Sequence, residues 1–199
     1  MDMEKITQIA FDNMAHRKAN PSREKGFIFY HGLRMAKMAM KLCDKLGYIG
    51  DREVIYTAAL FHDIAKGLKP HNEMGAHITG ELLKNECRAK RLKQICTIIR
   101  NHVDKGRPDR YSEPSKIVQD VDVLDHVGAL EPWIEVLWVA NHDKTIDYVL
   151  HYEHGERKIH ISRMRQKLNF AVSKTFFDER RTIETNYFQA LNKAQKGEL

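Results

Sequence analysis

The sequence predicts an all-α protein. Glycine and proline are scarce, at 11 and 5 of 199 residues, and apolar side chains recur at spacings of three and four rather than two. That period belongs to helices, and no stretch shows the alternation of a half-buried strand. A hydrophobic content of 42% suffices for one sizeable core, and no linker, repeat or low-complexity segment interrupts the chain. A single domain over residues 1–199 is therefore expected.

The elements follow from caps and breakers. A first helix is expected over about residues 3–18, with Ile6, Ala10 and Met14 on one face. A second runs from about Phe27 to Leu46 and stops at Gly47. Asp51 caps a third, "DREVIYTAALFHDIAK", which Gly67 and Pro70 close. The stretch "KPHNEMGAHITGELLKNE" leads into an amphipathic helix, "RLKQICTIIRNH", and a polar loop, "VDKGRPDRYSEP", separates that from "SKIVQDVDVLDHVGAL". Pro132 marks the next start, and three further helices reach about Lys193, with a loop near "HYEHGERK".

Composition narrows the function. The 33 Lys and Arg against 27 Asp and Glu give a net charge of +6, which favours anionic ligands. The basic residues are interleaved with acids, as in "FFDERRTIET", so a nucleic-acid tract is not expected. The charged start "MDMEKITQIAFDNM" lacks a signal-peptide core and no stretch approaches a membrane span, so a soluble cytoplasmic protein is expected. Cys43, Cys87 and Cys96 have no paired spacing and read as reduced core residues.

Chemistry is legible where polar residues interrupt apolar faces, because a buried imidazole or carboxylate is costly unless paired. His31 heads a stripe with Met35, Met38 and Leu42. His62 and Asp63 stand together after the apolar run "AALF", offering nitrogen and oxygen donors suited to iron, manganese, zinc or cobalt. His102 completes the stripe Leu92, Ile95, Ile99, and Asp122 shares a face with Val118 and Ala129 while Asp120 and Asp125 flank it. Any lone histidine of this kind is more often a satisfied core residue. The ordered series is what points to metal. A second His-Asp pair, His142 and Asp143, has no such series after it and is not expected to bind metal.

The order "YHGLRM", "ALFHDIAK", "IIRNH", "VQDVDVLD" resembles the HD superfamily of metal-dependent phosphohydrolases over about residues 27–130. The resemblance implies an HD-domain helical bundle, with carboxy-terminal helices over about residues 131–195, and a metal held by His31, His62, Asp63 and Asp122. "HNEMGAHI" is similar to the third histidine of two-metal members, which points to His71 with His77 as competitor. "IIRNHVDKGRP" is similar to the segment giving the fourth, His102, in HD phosphatases that cleave dinucleoside tetraphosphates. The tail "SKTFFDERRTIETNYFQAL" faintly resembles the last helices of small bacterial HD nucleotide hydrolases.

The implied cofactor is one or two divalent transition metals per chain, iron or manganese first, with cobalt, zinc or nickel able to take the same donors. The implied reaction is attack by metal-activated water on a phosphoester or phosphoanhydride of a nucleotide or related small phosphate compound, with Asp63 and Lys66 in catalytic roles. Lys66 lies one helical turn beyond Asp63 and can offer its ammonium to phosphoryl charge. Arg34, three residues after His31, and Lys105, Arg107 and Arg110, after His102, are further candidates for phosphate contact. An HD-type di-iron oxygenase and a nucleotide-binding sensor are the alternative classes. The sequence does not specify an oligomeric state.

Overall fold

The computed structural model describes residues 1–198, and among these it contains ten α-helices, one 3-10 turn and no strand. The helices are α1 (Met3–Met14), α2 (Phe27–Leu46), α3 (Arg52–Phe61), α4 (His71–Leu83), α5 (Ala89–Asn101), α6 (Glu113–Asp125), α7 (Glu131–Ala140), α8 (Ile146–His154), α9 (Glu156–Gln166) and α10 (Ala171–Gln195). No helix is long and apolar enough to cross a membrane.

The core is the bundle of α2, α3, α5 and α6, with α4 laid on α5 and α1 against α2 and α3. Met35 and Leu42 from α2, Ile55 and Leu60 from α3 and Ile95 and Ile99 from α5 are all essentially inaccessible to solvent, each stabilising the fold by roughly 1.5–3 kcal/mol. A smaller cluster joins Val123, Leu124 and Val127 at the end of α6 to Met164, Leu168 and Phe177. It attaches α9 and α10 to the bundle. Cys43 and Cys96 are buried, Cys87 is half-buried, and all three are free thiols.

Boundaries differ from the sequence expectation in four places. The first helix stops at Met14, because the chain then turns to send Arg17 across to the carbonyls of Ile64 and Lys66. The third stops at Phe61, and residues 62–66 form tight turns in which Ile64 N–H bonds the Phe61 carbonyl and Lys66 N–H that of Asp63. The stretch beginning at His71 is a helix, α4, started after Pro70. Beyond Pro132 there are four helices rather than three. The expected loop at "HYEHGERK" is helical on both sides, and Gly155 alone breaks it.

One close approach sets the geometry. A Cβ at Gly32 would lie 2.3 Å from the Leu60 carbonyl oxygen, so the backbones of α2 and α3 touch there. Gly32 follows His31, and Leu60 precedes His62 by two residues. The crossing that glycine permits is therefore the crossing that brings those imidazoles together. Gly32→Ala is expected to lower unfolding free energy by about 1–3 kcal/mol, read from urea melts. Wild-type stability in that variant would show that the contact is not a constraint.

Candidate metal centre

Each donor is delivered by an element end or a helix face. His62 caps α3 and donates Nδ1–H to the Ala59 carbonyl at 2.8 Å. His102 caps α5 and donates Nδ1–H to the Ile99 carbonyl at 2.6 Å. A carbonyl accepts only from a protonated Nδ1, so in both rings the Nε2 lone pair points away from the helix into the centre. His31, on α2, turns its Nδ1 to Asp125 at 2.7 Å, leaving its Nε2 3.4 Å from Asp122. The Nε2 atoms of His31 and His62 are buried and have no hydrogen-bond partner in the protein. Such orphaned polar atoms demand an explanation, and a cation supplies one.

Asp63 and Asp122 complete the cluster. One Asp63 oxygen lies 3.4 Å from His71 Nε2 and 3.6 Å from His102 Nε2, while the other lies 3.6 Å from His62 Nε2 and 3.0 Å from the Lys66 ammonium. Asp122 lies 3.9 Å from His62 Nε2 and 2.6 Å from the Lys105 ammonium. His71 Nε2 and His102 Nε2 face each other at 3.3 Å. The overlapping sets are His31, His62 and Asp63; His62, His102 and Asp122; Asp63, His71 and His102; and His31, Asp122 and His126. Imidazole and carboxylate donors together fit a divalent transition metal.

The electrostatics agree. Burial drives the His62 pKa down to about 3, against the pull of Asp63 and Asp122, so the ring is neutral and able to donate a lone pair. Burial opposes charge on Asp63 and Asp122 too. His62, His102 and Lys66 nonetheless hold Asp63 well below the usual carboxylate range, and Lys105, His31 and His62 do the same for Asp122. His31 differs: burial again opposes charge, but Asp122 and Asp125 outweigh it and raise the pKa to about 9, so a metal would have to displace the Nε2 proton of this ring before taking its lone pair.

Of the predicted residues, the structure brings together His31, His62, Asp63, His71, His102 and Asp122, with Lys66 at the rim. His77 is exposed on the far side of α4 and joins none of the clusters. Arg34 grips Asp125 through both Nε and Nη2, at 3.0 and 2.8 Å, so its fork is already engaged. Arg107 and Arg110 are exposed and lie against Asp104, at 3.4 and 3.1 Å. His142 is exposed and stacked on Trp138.

The crowding of acids expected on α6 is relieved in the structure. Asp120 points away from the centre and accepts from Asn169 N–H, Asn169 Nδ2 and Phe170 N–H at the start of α10. Asp125 is spent on His31 and Arg34. Two features escaped the sequence reading. His126 stands four residues after Asp122, a helical neighbour spacing that could have exposed it. Lys105 bonds Asp122 directly, a contact that only the fold of its loop reveals.

The centre opens into a cleft of about 370 Å³ lined by Lys66, Lys105, Asp122, His126, His160 and Lys167, with Arg23, Glu131 and Arg157 at its far side. Against this geometry, the HD domain family model matches residues 28–130, just over half of the chain. The chain belongs to the HD family. That membership supports a metal-dependent hydrolase in general terms, since HD domains bind divalent metals. Solved structures with the same fold include Bacillus subtilis YpgQ in complex with ADP, at 18% identity and TM-score 0.65, covering 95% of this chain and 97% of that one. An HD-superfamily hydrolase from Bacillus thuringiensis aligns at 22% identity and TM-score 0.68, covering 98% and 99%. The Lin1889 protein of Listeria innocua aligns at 23% and 0.65, covering 98% of each chain. A search of curated proteins gives no match.

Metal should stabilise this HD domain. At about 100-fold above Kd, an ion bound only by the folded state adds about 2.7 kcal/mol, roughly 5–11 °C in Tm for a chain of this size. Manganese, iron or cobalt is expected to produce that shift in a thermal melt, and His62→Ala to abolish it. Unchanged melting with every divalent ion tested would remove the metal assignment.

Proposed function

We propose that this HD protein is a phosphohydrolase that cleaves a phosphoester or phosphoanhydride of a nucleotide or related small phosphate compound. The observation that carries the reading is the junction of buried donors with unpartnered Nε2 atoms and a cleft lined by lysines. His31, His62, Asp63 and Asp122 would hold one divalent ion, and Asp63, His71 and His102 a second, with Asp63 common to both sets. Such ions polarise phosphoryl oxygens and acidify water toward neutral pH, which supplies the nucleophile. Iron or manganese suits the mixed donors, as do cobalt, zinc and nickel.

The chain's own residues divide the remaining work. Asp125 fixes the His31 ring through Nδ1, so the Nε2 lone pair keeps its direction. Lys66 neutralises Asp63 while its half-exposed ammonium faces the cleft, where phosphoryl oxygens would meet it. Lys105 does the same beside Asp122. Both cations are preorganised by carboxylates, so neither must be recruited as charge develops. Arg34 pairs with Asp125, and Arg107 pairs with Asp104 at the surface, so in this structure both are engaged with carboxylates of the chain itself. The ADP in the YpgQ complex supports a nucleotide as the ligand class for this cleft.

Lys66→Met is expected to lower kcat on the order of a hundredfold while elemental analysis shows unchanged metal content. Nucleoside mono-, di- and triphosphates and dinucleoside polyphosphates, assayed with manganese, iron and cobalt, form the panel. Wild-type turnover in Lys66→Met would cancel its role. Turnover should also persist without oxygen. Substrate-dependent oxygen uptake, lost together with product under anaerobic conditions, would move the protein to the oxygenase class.

A further inference from the structure

Beyond the basic cleft lies a second cavity of about 270 Å³, lined by Arg23, Glu131, Ile134, Glu135, Trp138, Tyr148 and Tyr152. Arg23 and Glu131 line both spaces, so the two cavities are neighbours across those side chains. Together they fall within the about 300–1,000 Å³ usual for small-molecule sites. Their chemistry differs sharply. The first offers ammonium and imidazole groups beside the metal donors. The second offers three aromatic rings and two carboxyls, and nothing in the proposed hydrolytic centre uses them.

We infer that this aromatic cavity is a nucleobase compartment, taking a base with an exocyclic amino group while the phosphates of the same ligand occupy the basic cleft. The inference rests on the phosphohydrolase reading and adds the identity of the group at the far end. Trp138 and Tyr148 are nearly parallel, 5.6 Å apart at 19°, and His142 stacks on the indole at 4.2 Å and 14°. The aromatic wall is thus held in place before any ligand arrives, which limits the ordering cost of binding. A flat heterocycle matches such a wall.

The carboxyls choose among flat ligands. Arg157 is engaged with Glu131, Glu153 and Glu184. Glu135 has no ion-pair partner among the described residues, and burial raises its pKa as well as that of Glu131. Glu135 and Glu131 also hydrogen-bond each other, which spends their shared proton between them and leaves acceptor oxygens toward the cavity. An acceptor there calls for an N–H donor, which the amino groups of adenine, cytosine and guanine provide. A permanent organic cation fits less well. Arg23 stands at the junction, and the Lys144 ammonium already sits over the Tyr148 ring at 5.3 Å.

The test is calorimetric titration of the manganese-loaded protein, with imidodiphosphate as a phosphate-only probe and α,β-methylene diphosphate analogues of adenosine, cytidine and uridine. The adenosine and cytidine compounds are expected to bind at least tenfold more tightly than imidodiphosphate, and severalfold more tightly than the uridine compound. Trp138→Ala should erase most of the gain that the base provides, and Trp138→Phe, which keeps a ring, should restore it. Glu135→Met, a variant that preserves the aromatic wall, should compress the difference between cytidine and uridine compounds. Binding of imidodiphosphate with no gain from any base, or a full gain in Trp138→Ala, overturns the compartment alone. Failure to bind imidodiphosphate at all removes the phosphate reading and the compartment with it.

Discussion

The backbones of α2 and α3 meet at Gly32 and Leu60, and the depth of that contact determines how far His31 stands from His62. Their rings are 5.0 Å apart between centroids. Both Nε2 atoms are sealed from water without a protein partner, a state that the apolar packing of the bundle enforces against the preference of the groups themselves. The surrounding arrangement answers to this. His102 and His71 are delivered by α5 and α4 to the other side of Asp63, and Gly75 packs α4 against the His62 carbonyl, where a Cβ would stand in ordinary contact at 3.4 Å. The charges are balanced in pairs: Lys66 on Asp63, Lys105 on Asp122, Arg34 on Asp125. Each carboxylate thereby stays ionised in a place where isolated ionisation would be costly.

Most of the clustered imidazoles and carboxylates were legible in the sequence because they break a periodic apolar pattern. His31 above Met35, and His102 below Ile95 and Ile99, stand out once a helix of 3.6 residues per turn is assumed. His71 was harder. It opens α4 rather than interrupting a stripe, and only the position of that helix on α5 separates it from His77, which the same helix turns outward. The loop residues were least legible. Lys105, Arg107 and Arg110 look alike in sequence, yet the turn after His102 places the first on Asp122 and the other two on Asp104. Periodicity carries no information about where an irregular segment sends its side chains.

The same limit explains Asp120 and Asp125. Three acids within six residues read as a concentration of negative charge on one site. A helix turns 100° per residue, so Asp122 and Asp125, three residues apart, share a face and both meet the His31 ring, while Asp120 points away from them. Asp122 faces the metal donors, Asp125 reaches the back of the His31 ring, and Asp120 meets the start of α10. What the acids share is therefore set by their angular position on α6 rather than by their closeness in sequence, and by which helix lies opposite each.

The cap that Asp120 places on the start of α10 also marks where the carboxy-terminal helices are fastened to the bundle. The helices that supply Trp138, Tyr148, Tyr152 and His160 are tied to the bundle by that cap, by the Phe177 cluster and by Glu184, which accepts from Gly128 N–H and holds Arg157. None of these ties uses a metal-donor side chain. Substitutions along α7, α8 and α9 that spare Arg157 therefore leave the crossing of α2 and α3, and the imidazoles it brings together, mechanically untouched.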